Sequence, residues 1–423
     1  MSGLPEQRPA DAAAGRSSFP LGAAVTLADL EAEPHPVLAR LRRDEPVSWL
    51  PALNGWLVTR RDLALLVLRD SAAFTVDDPR FSTAQVVGPS MLSLDGTEHG
   101  RHRAPFTAGF SHGAVRSQLA SAVVAEADAL VAALRPLGAA DLRTGLAGPL
   151  AVGVVAQTLG LGQADPGTVL EWYGAIVAAV SALAGTPGPD GTGPAVEGAV
   201  ARAGADAFAL LDARLRAVIG TAGGPRSLLA DAAGSAAGSG AAAGPGLSTS
   251  EVVSNAAVIM FGGIETTEGM IGNAIYHLLS YPAQLSLVLA DPGLVPAAVE
   301  ESLRLEPAAA VVDRYATRDV QLGGAMIRRG DLVSVSLAGA GRDPEVFTDP
   351  DAFDVRRPNA RLHLAFAYGP HFCLGAHLAR LEAQAAVRAV LGLPGLRLDP
   401  ERPSAPHGLV FRKPPSLHVR WEP

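Results

Sequence analysis

The stretch Phe366-Ala-Tyr-Gly-Pro-His-Phe-Cys373-Leu-Gly-Ala-His-Leu-Ala-Arg380 holds the only cysteine among 423 residues. Gly369 and Pro370 break regular structure before it, and the apolar positions Leu378, Leu381, Ala385 and Val387 predict an amphipathic helix from Ala376 to Val390. Cys373 is thereby expected at a helix N-terminus, where the macrodipole and unpaired N–H groups favour the thiolate and lower its pKa. Gly375, two residues on, would let a flat ligand lie against the backbone. Taken alone, the same cysteine fits an inert buried thiol as well as a reactive one. A second cluster is Phe261-Gly-Gly-Ile-Glu265-Thr266-Thr267-Glu268, in the middle of a long helical pattern. Two adjacent glycines there cost about 1 kcal/mol each relative to alanine, so they serve something other than helix stability, such as close approach of a ligand. Gly262, Thr266 and Met270 share one face at spacing four. A third is His99 and Arg103, also four apart, which can converge on one anion.

Phe366, Gly369, His371, Cys373 and Gly375 fill the pattern Phe-x-x-Gly-x-His/Arg-x-Cys-x-Gly, and here the sequence resembles the cytochrome P-450 family of heme-thiolate monooxygenases. Ala367 stands where that family usually has glycine. The resemblance implies heme b (iron protoporphyrin IX) with Cys373 as the iron ligand, a thiolate whose electron donation favours O–O cleavage in the family. It assigns His99 and Arg103 to one heme propionate, and Arg314 with His371 to the second. Gly262 to Thr266 matches the family's Ala/Gly-Gly-x-Asp/Glu-Thr motif, which makes Glu265 the proton conduit and Thr266 the hydroxyl that orders oxygen and water. The other reading of Thr266 is a hydroxyl bonded back to a carbonyl one turn earlier. Glu301 and Arg304 fit the family's Glu-x-x-Arg pair, with Arg357 as third member of a buried ion network. Gly341, in Ala340-Gly-Arg-Asp-Pro344, replaces the family's usual asparagine and is expected to change a turn.

The elements that must position these residues are mostly helical. Pro36 to Arg43 reads as a helix begun by proline, and Asn54-Gly55 between two short apolar runs signals a hairpin. Asp62 to Arg69 is a helix, and Phe74 to Ser90 shows no helical period and reads as a long loop, which in the family covers the substrate. Alanine-rich helical patterns occupy Ala114 to Leu134, Ala147 to Leu159, Thr168 to Ala184 and Ala195 to Ile219. The Gly/Pro-rich break from Gly185 to Pro194 resembles the family's hinged lid. Gly234 to Gly246 is low-complexity and reads as a flexible connection. Ser248-Thr-Ser-Glu251 is a capping box opening a helix that runs to about Ser280. Short strands follow around Val320 to Leu322 and Leu332 to Leu337. The expected fold class is mostly α with a small β-region, the cytochrome P-450 fold with a long central helix over the heme: a flexible arm over 1–24, then one heme domain over 25–423.

Apolar residues make up 48% and charged residues 18% of the chain, enough for a sizeable core. The 42 acidic and 34 basic side chains leave a net charge of −8, which argues against nucleic acid as a partner. One cysteine excludes an internal disulfide framework and suits a cytoplasmic location. No signal peptide is apparent, nor a run of ~18 consecutive apolar residues to span a membrane. The family relation implies oxidation of a hydrophobic small molecule by dioxygen, with candidate pocket residues Val86, Val87, Met91, Trp172, Val177 and Val180. Electrons are expected from a separate ferredoxin and ferredoxin reductase, docking on a surface that includes Arg101, Arg356 and Arg361. The Ala/Gly/Arg-rich chain resembles family members of bacterial secondary-metabolite biosynthesis, and the resemblance implies that setting. C–C coupling, desaturation and nitration on the same scaffold are the alternatives, followed by a peroxygenase or a non-catalytic partner protein.

Overall fold

The computed structural model describes residues 18–161, 166–184, 198–220, 228–229, 232 and 246–422. The helices used below are, in chain order, α1 (Arg61–Arg69), α2 (Ser82–Val87), α3 (Gly96–Thr107), α4 (Ala120–Leu134), α5 (Gly148–Thr158), α6 (Pro166–Ala184), α7 (Gly198–Gly220), α8 (Thr249–Ser280), α9 (Val295–Leu305) and α10 (Ala376–Leu391). Strands β1 (Val47–Leu50), β2 (Gly55–Val58), β3 (Phe74–Thr75), β4 (Ala139–Asp141), β5 (Val311–Ala316), β6 (Val320–Leu322), β7 (Ala325–Ile327), β8 (Leu332–Ser336), β9 (Arg397–Leu398) and β10 (His418–Arg420) are short. They form a five-stranded sheet in the order β1-β2-β8-β5-β3, a three-stranded sheet β4-β10-β9 and the pair β6-β7. This is the mostly helical architecture with a small β-region that the sequence led us to expect.

Helix α8 organises the interior. Its start is fixed by the capping box: Glu251 donates its backbone N–H to the Ser248 hydroxyl, and the Glu251 carboxylate accepts from the Ser248 N–H. Its 32 residues span about 48 Å at the helical rise. The first half packs with α5, α6 and α7 through Val252, Ala256, Val155 and Leu211. The second half packs with α9 and α10 through Ile271, Ala274, Val299 and Ala383, in a cluster that Val131 of α4 also joins. One element therefore runs through two apolar clusters, and neither half of the core closes without it.

Two expectations change. Of the arm expected over 1–24, residues 1–17 lie outside the described ones. Residues 20–23 form a helical turn whose Leu21 and Gly22 N–H groups donate to the Glu45 carboxylate, and the Phe19 ring meets Trp56 edge-on at 5.1 Å. The stretch read as a loop from Phe74 to Ser90 contains β3 and α2. Six residues give under two turns, too few for a period to show, but Thr83 and Val87 sit four apart and both are buried. The helical run Gly96–Leu137 is long and apolar enough, by length and composition, to cross a membrane. Its apolarity comes from alanines interleaved with Gln118, Glu126 and Asp128, and Val115, Val123, Ala127 and Val131 enter the core. The Gly/Pro-rich break from Gly185 to Pro194 and nearly all of 234–246 lie outside the described residues.

The ion network around Arg304 holds the sheet side to α9. The fully buried Arg304 donates to both Glu301 oxygens at 2.7 and 2.8 Å and to the carbonyls of Gly341, Pro350 and Ala352. Arg357 donates from Nε to the same Glu301 carboxylate at 2.9 Å. Gly341 ends a short helix, Leu337–Gly341, and a Cβ there would lie 2.1 Å from the Arg304 carbonyl oxygen. Its lack of a side chain thus serves close backbone contact. Replacing Arg304 by Met leaves the buried Glu301 charge with only Arg357 and the Asp354 N–H as partners, and urea denaturation should register a loss of roughly 3–5 kcal/mol.

Candidate functional site

The cysteine loop is built by short-range bonds and one tight approach. Phe372 donates its N–H to the Gly369 carbonyl, and Cys373 donates its own to Phe366 at 2.9 Å. Gly369 has φ +73°, and a Cβ there would meet the Leu68 carbonyl of α1 at 2.5 Å, so this position requires glycine. Ala367, where glycine was the expected residue, adopts φ 56°, a left-handed conformation that costs an L-residue about 1–2 kcal/mol. Beneath the loop, Arg380 lies 4.4 Å from the centre of the Phe366 ring and pairs with Glu300 at 2.6 Å, which also meets His363.

Helix α10 begins at Ala376, so Cys373 stands three residues before its first turn, not within it. Burial pushes its thiol up from the ordinary value; the Gly375 N–H, Arg103 and Arg380 pull the other way without prevailing. The expected lowering by the helix dipole is therefore reversed in the protein alone, because desolvation of a thiolate outweighs one N–H bond.

Three of the four expected anion-holding residues sit close to this loop. His99 and His371 stack with ring centres 4.4 Å apart. His371 Nε2 bonds Asp95 at 2.8 Å, and the other Asp95 oxygen accepts from the Thr75 hydroxyl and the Val76 N–H. Arg103 donates to the Phe372 carbonyl at 2.7 Å, directly beside Cys373. Burial, then His371 and Arg103, push the His99 pKa down to about 4, so its imidazole is neutral near pH 7. Its Nε2 is buried with no partner. Arg314 is buried on β5 and donates to the Asp313 carbonyl; it feels the Asp95 charge but touches neither His371 nor Arg103.

On α8 the two glycines prove to have separate duties. A Cβ at Gly263 would come 2.7 Å from Val155 of α5, so this glycine lets two helices press together. A Cβ at Gly262 would meet nothing within 4 Å, so this one faces open space. The Thr266 hydroxyl donates to the Gly262 carbonyl, the back-bonded arrangement weighed above. The Glu265 carboxylate is not hydrogen-bonded to the Thr266 hydroxyl. That carboxylate pairs with Lys413 at 2.6 Å and accepts from the Tyr173 hydroxyl of α6, while Glu268 pairs with Arg143 and lies 3.4 Å from Lys413. Sequence reasoning missed Tyr173, Arg143 and Lys413, which come from distant segments. A signal did exist: Lys413 is the only lysine in the chain, and Glu268 lies one turn beyond Glu265.

Of the candidate pocket residues, Val87 and Met91 are buried in the apolar cluster around the first half of α8, with Val86 and Trp172 packed against it; the side chains of Val177 and Val180 lie outside the described ones.

A thiol in a rigid loop, an orphaned neutral imidazole and a guanidinium beside it, and glycines facing open space at both Gly375 and Gly262 fit a planar, anionic, thiolate-ligated macrocycle. That fold and site define a heme-thiolate oxidoreductase. A family model for cytochrome P450 matches residues 289–416. Cytochrome P450 monooxygenase PikC of Streptomyces venezuelae is 35% identical over 413 residues, 93% of this chain and 92% of that protein. Nocardicin C N-oxygenase of Nocardia uniformis subsp. tsuyamanensis is also 35% identical, over 96% of this chain and 98% of its own length. The crystal structure of CalO2 superposes with a TM-score of 0.83 at 31% identity, covering 94% of this chain and 98% of that one. The chain belongs to the cytochrome P450 family: it is a monooxygenase whose cofactor is heme b, and it works with dioxygen, a substrate and redox partners.

Two outcomes follow from the loop's geometry. Ala367→Gly should raise thermal stability by about 0.5–1 kcal/mol, the relief of left-handed strain exceeding the added entropy of the unfolded chain. Burial alone would raise the Glu300 pKa, but hydrogen bonds from His363 and Arg380 bring it from 4.5 down to about 2. The stability it contributes is complete above pH ~4.5 and is lost as pH falls towards 2. Acid titration of Glu300→Gln, followed by circular dichroism, should therefore show a shallower loss across that window than the parent protein.

Proposed function

We propose that this chain inserts one atom of dioxygen into a C–H or C=C bond of a hydrophobic small molecule of bacterial secondary metabolism. The observation that carries the reading is the cysteine loop, with Cys373 held between the Phe366 carbonyl and Arg103. In support, relatives include the mycinamicin IV hydroxylase/epoxidase of Micromonospora griseorubida as well as an N-oxygenase. Cys373 would ligate the heme iron; His99 and Arg103 would hold one propionate, and His371 with Arg314 the other. Bound heme supplies the activation of dioxygen. The protein's own residues contribute orientation and protons: Thr266 offers a hydroxyl next to the open face at Gly262, and Glu265 carries protons from solvent towards it.

The electron donors in this reading are a separate ferredoxin and its reductase, in a cytoplasmic setting that suits one free thiol. Leu362, Tyr368 and Phe372 are exposed around the cysteine loop, with Arg356 and Arg361 exposed nearby, which suits an acidic partner having an apolar centre. Arg101, one of the docking residues read from the sequence, is drawn off by Glu98 and Glu251, at 2.7 and 2.5 Å. Reduced protein under carbon monoxide should show the strongly red-shifted absorption of a thiolate-bound porphyrin, and Cys373→Ala should lose it; an unshifted band in the parent protein would sink the assignment. Arg361→Glu should slow reduction by ferredoxin while leaving the absorption change on substrate binding intact, as stopped-flow reduction and substrate titration would show.

A further inference from the structure

Thirty-three of the 34 Lys and Arg side chains are arginine, and the one lysine, Lys413, lies between two of the carboxylates of α8, Glu265 and Glu268. Its backbone is pinned by a two-way bridge to His407 and followed by Pro414 and Pro415. Its stem crosses α8 at Gly269, where a Cβ would lie 3.4 and 3.5 Å from the Lys413 Cβ and Cδ. From there the ammonium reaches Glu265 at 2.6 Å and Glu268 at 3.4 Å. The adjacent Arg412 shows what arginine does in this segment: it is fixed by Glu306 and by the carbonyls of Glu31, Gly408 and Pro406. A guanidinium suits such a multidentate brace, whereas an ammonium is a compact charge on a flexible stem that can exchange partners without a fixed fork geometry.

The two carboxylates are not equivalent. Glu268 keeps Arg143 whichever way Lys413 turns, and Arg143 is itself anchored on the Pro415 carbonyl. Glu265 has Lys413 and the Tyr173 hydroxyl, and both draw it away from Thr266. We propose that Lys413 is the positioning residue for Glu265: its ammonium, shared by Glu265 and Glu268, holds the Glu265 carboxylate off Thr266, and a shift towards Glu268 releases it. The inference rests on the reading of Glu265 as the proton carrier, and it makes the clamp a brake on proton delivery. No proton changes owner in the shift; the ammonium exchanges one carboxylate partner for another.

A single lysine makes the test direct. Heme-loaded protein labelled with nitrogen-15 at lysine Nζ, in its diamagnetic reduced carbon monoxide form, should give one slowly exchanging ammonium resonance that moves in both Glu265→Gln and Glu268→Gln. A resonance lost to solvent exchange, or indifferent to either substitution, overturns the clamp. Function is read as NADPH-driven dioxygen consumption with a surrogate ferredoxin and reductase and no added substrate. Lys413→Met should raise it roughly threefold to tenfold, well short of the full range of general acid–base catalysis, and Lys413→Arg should not. The gain should vanish in Lys413→Met/Glu265→Gln. An unchanged rate in Lys413→Met overturns the brake. An unchanged rate in Glu265→Gln alone defeats the reading of Glu265 instead, and the ammonium resonance still decides where Lys413 sits.

Discussion

Two neighbouring carboxylates on α9 face different partners, and most of the site depends on that divergence. Glu300 turns to Arg380 and His363 and so ties α10 and the cysteine loop to the helical core. Glu301 turns to Arg304 and Arg357 and ties the segment after β8 to the same helix. Both acids are almost fully buried, so each is stable only with its partners in place. A loop without regular structure needs such bracing. Cys373 gains fixed geometry from it before any ligand is bound.

The cysteine motif, the capping box of α8 and the Glu301–Arg304 spacing were all legible in the sequence, because each is local: a few residues whose types state their own partners. The helix over 376–390 and the hairpin at Asn54 appear within a residue or two of their expected bounds, Asn54 itself adopting the left-handed conformation that Asn-Gly signals. What stayed hidden was non-local. Nothing near Glu265 in the chain announces Tyr173, 92 residues before it, or Lys413 from the C-terminal segment. The helix inside 74–90 escaped for another reason: it is shorter than the window in which periodicity can be counted. The thiol was misjudged because a dipole argument is drawn from sequence neighbours, while desolvation comes from the whole fold.

The paired glycines of α8 show how one motif can meet two demands. Gly263 is needed by the neighbouring helix and Gly262 by the space beside Thr266, so the pair couples interhelical contact to the shape of the site. Asp95 has a comparable double use. It orients His371 through one oxygen and ties down β3 and the residue after it through the other, linking the small sheet to the residues nearest the cysteine.

The near-exclusive use of guanidinium for positive charge has a practical consequence. Amine-directed cross-linkers and fluorophores would find one side-chain target in the whole molecule, and that target is seven-eighths shielded, at 13% exposure. Contacts with an electron donor would go unrecorded by such reagents, and coupling through surface carboxylates is the chemistry that could capture them.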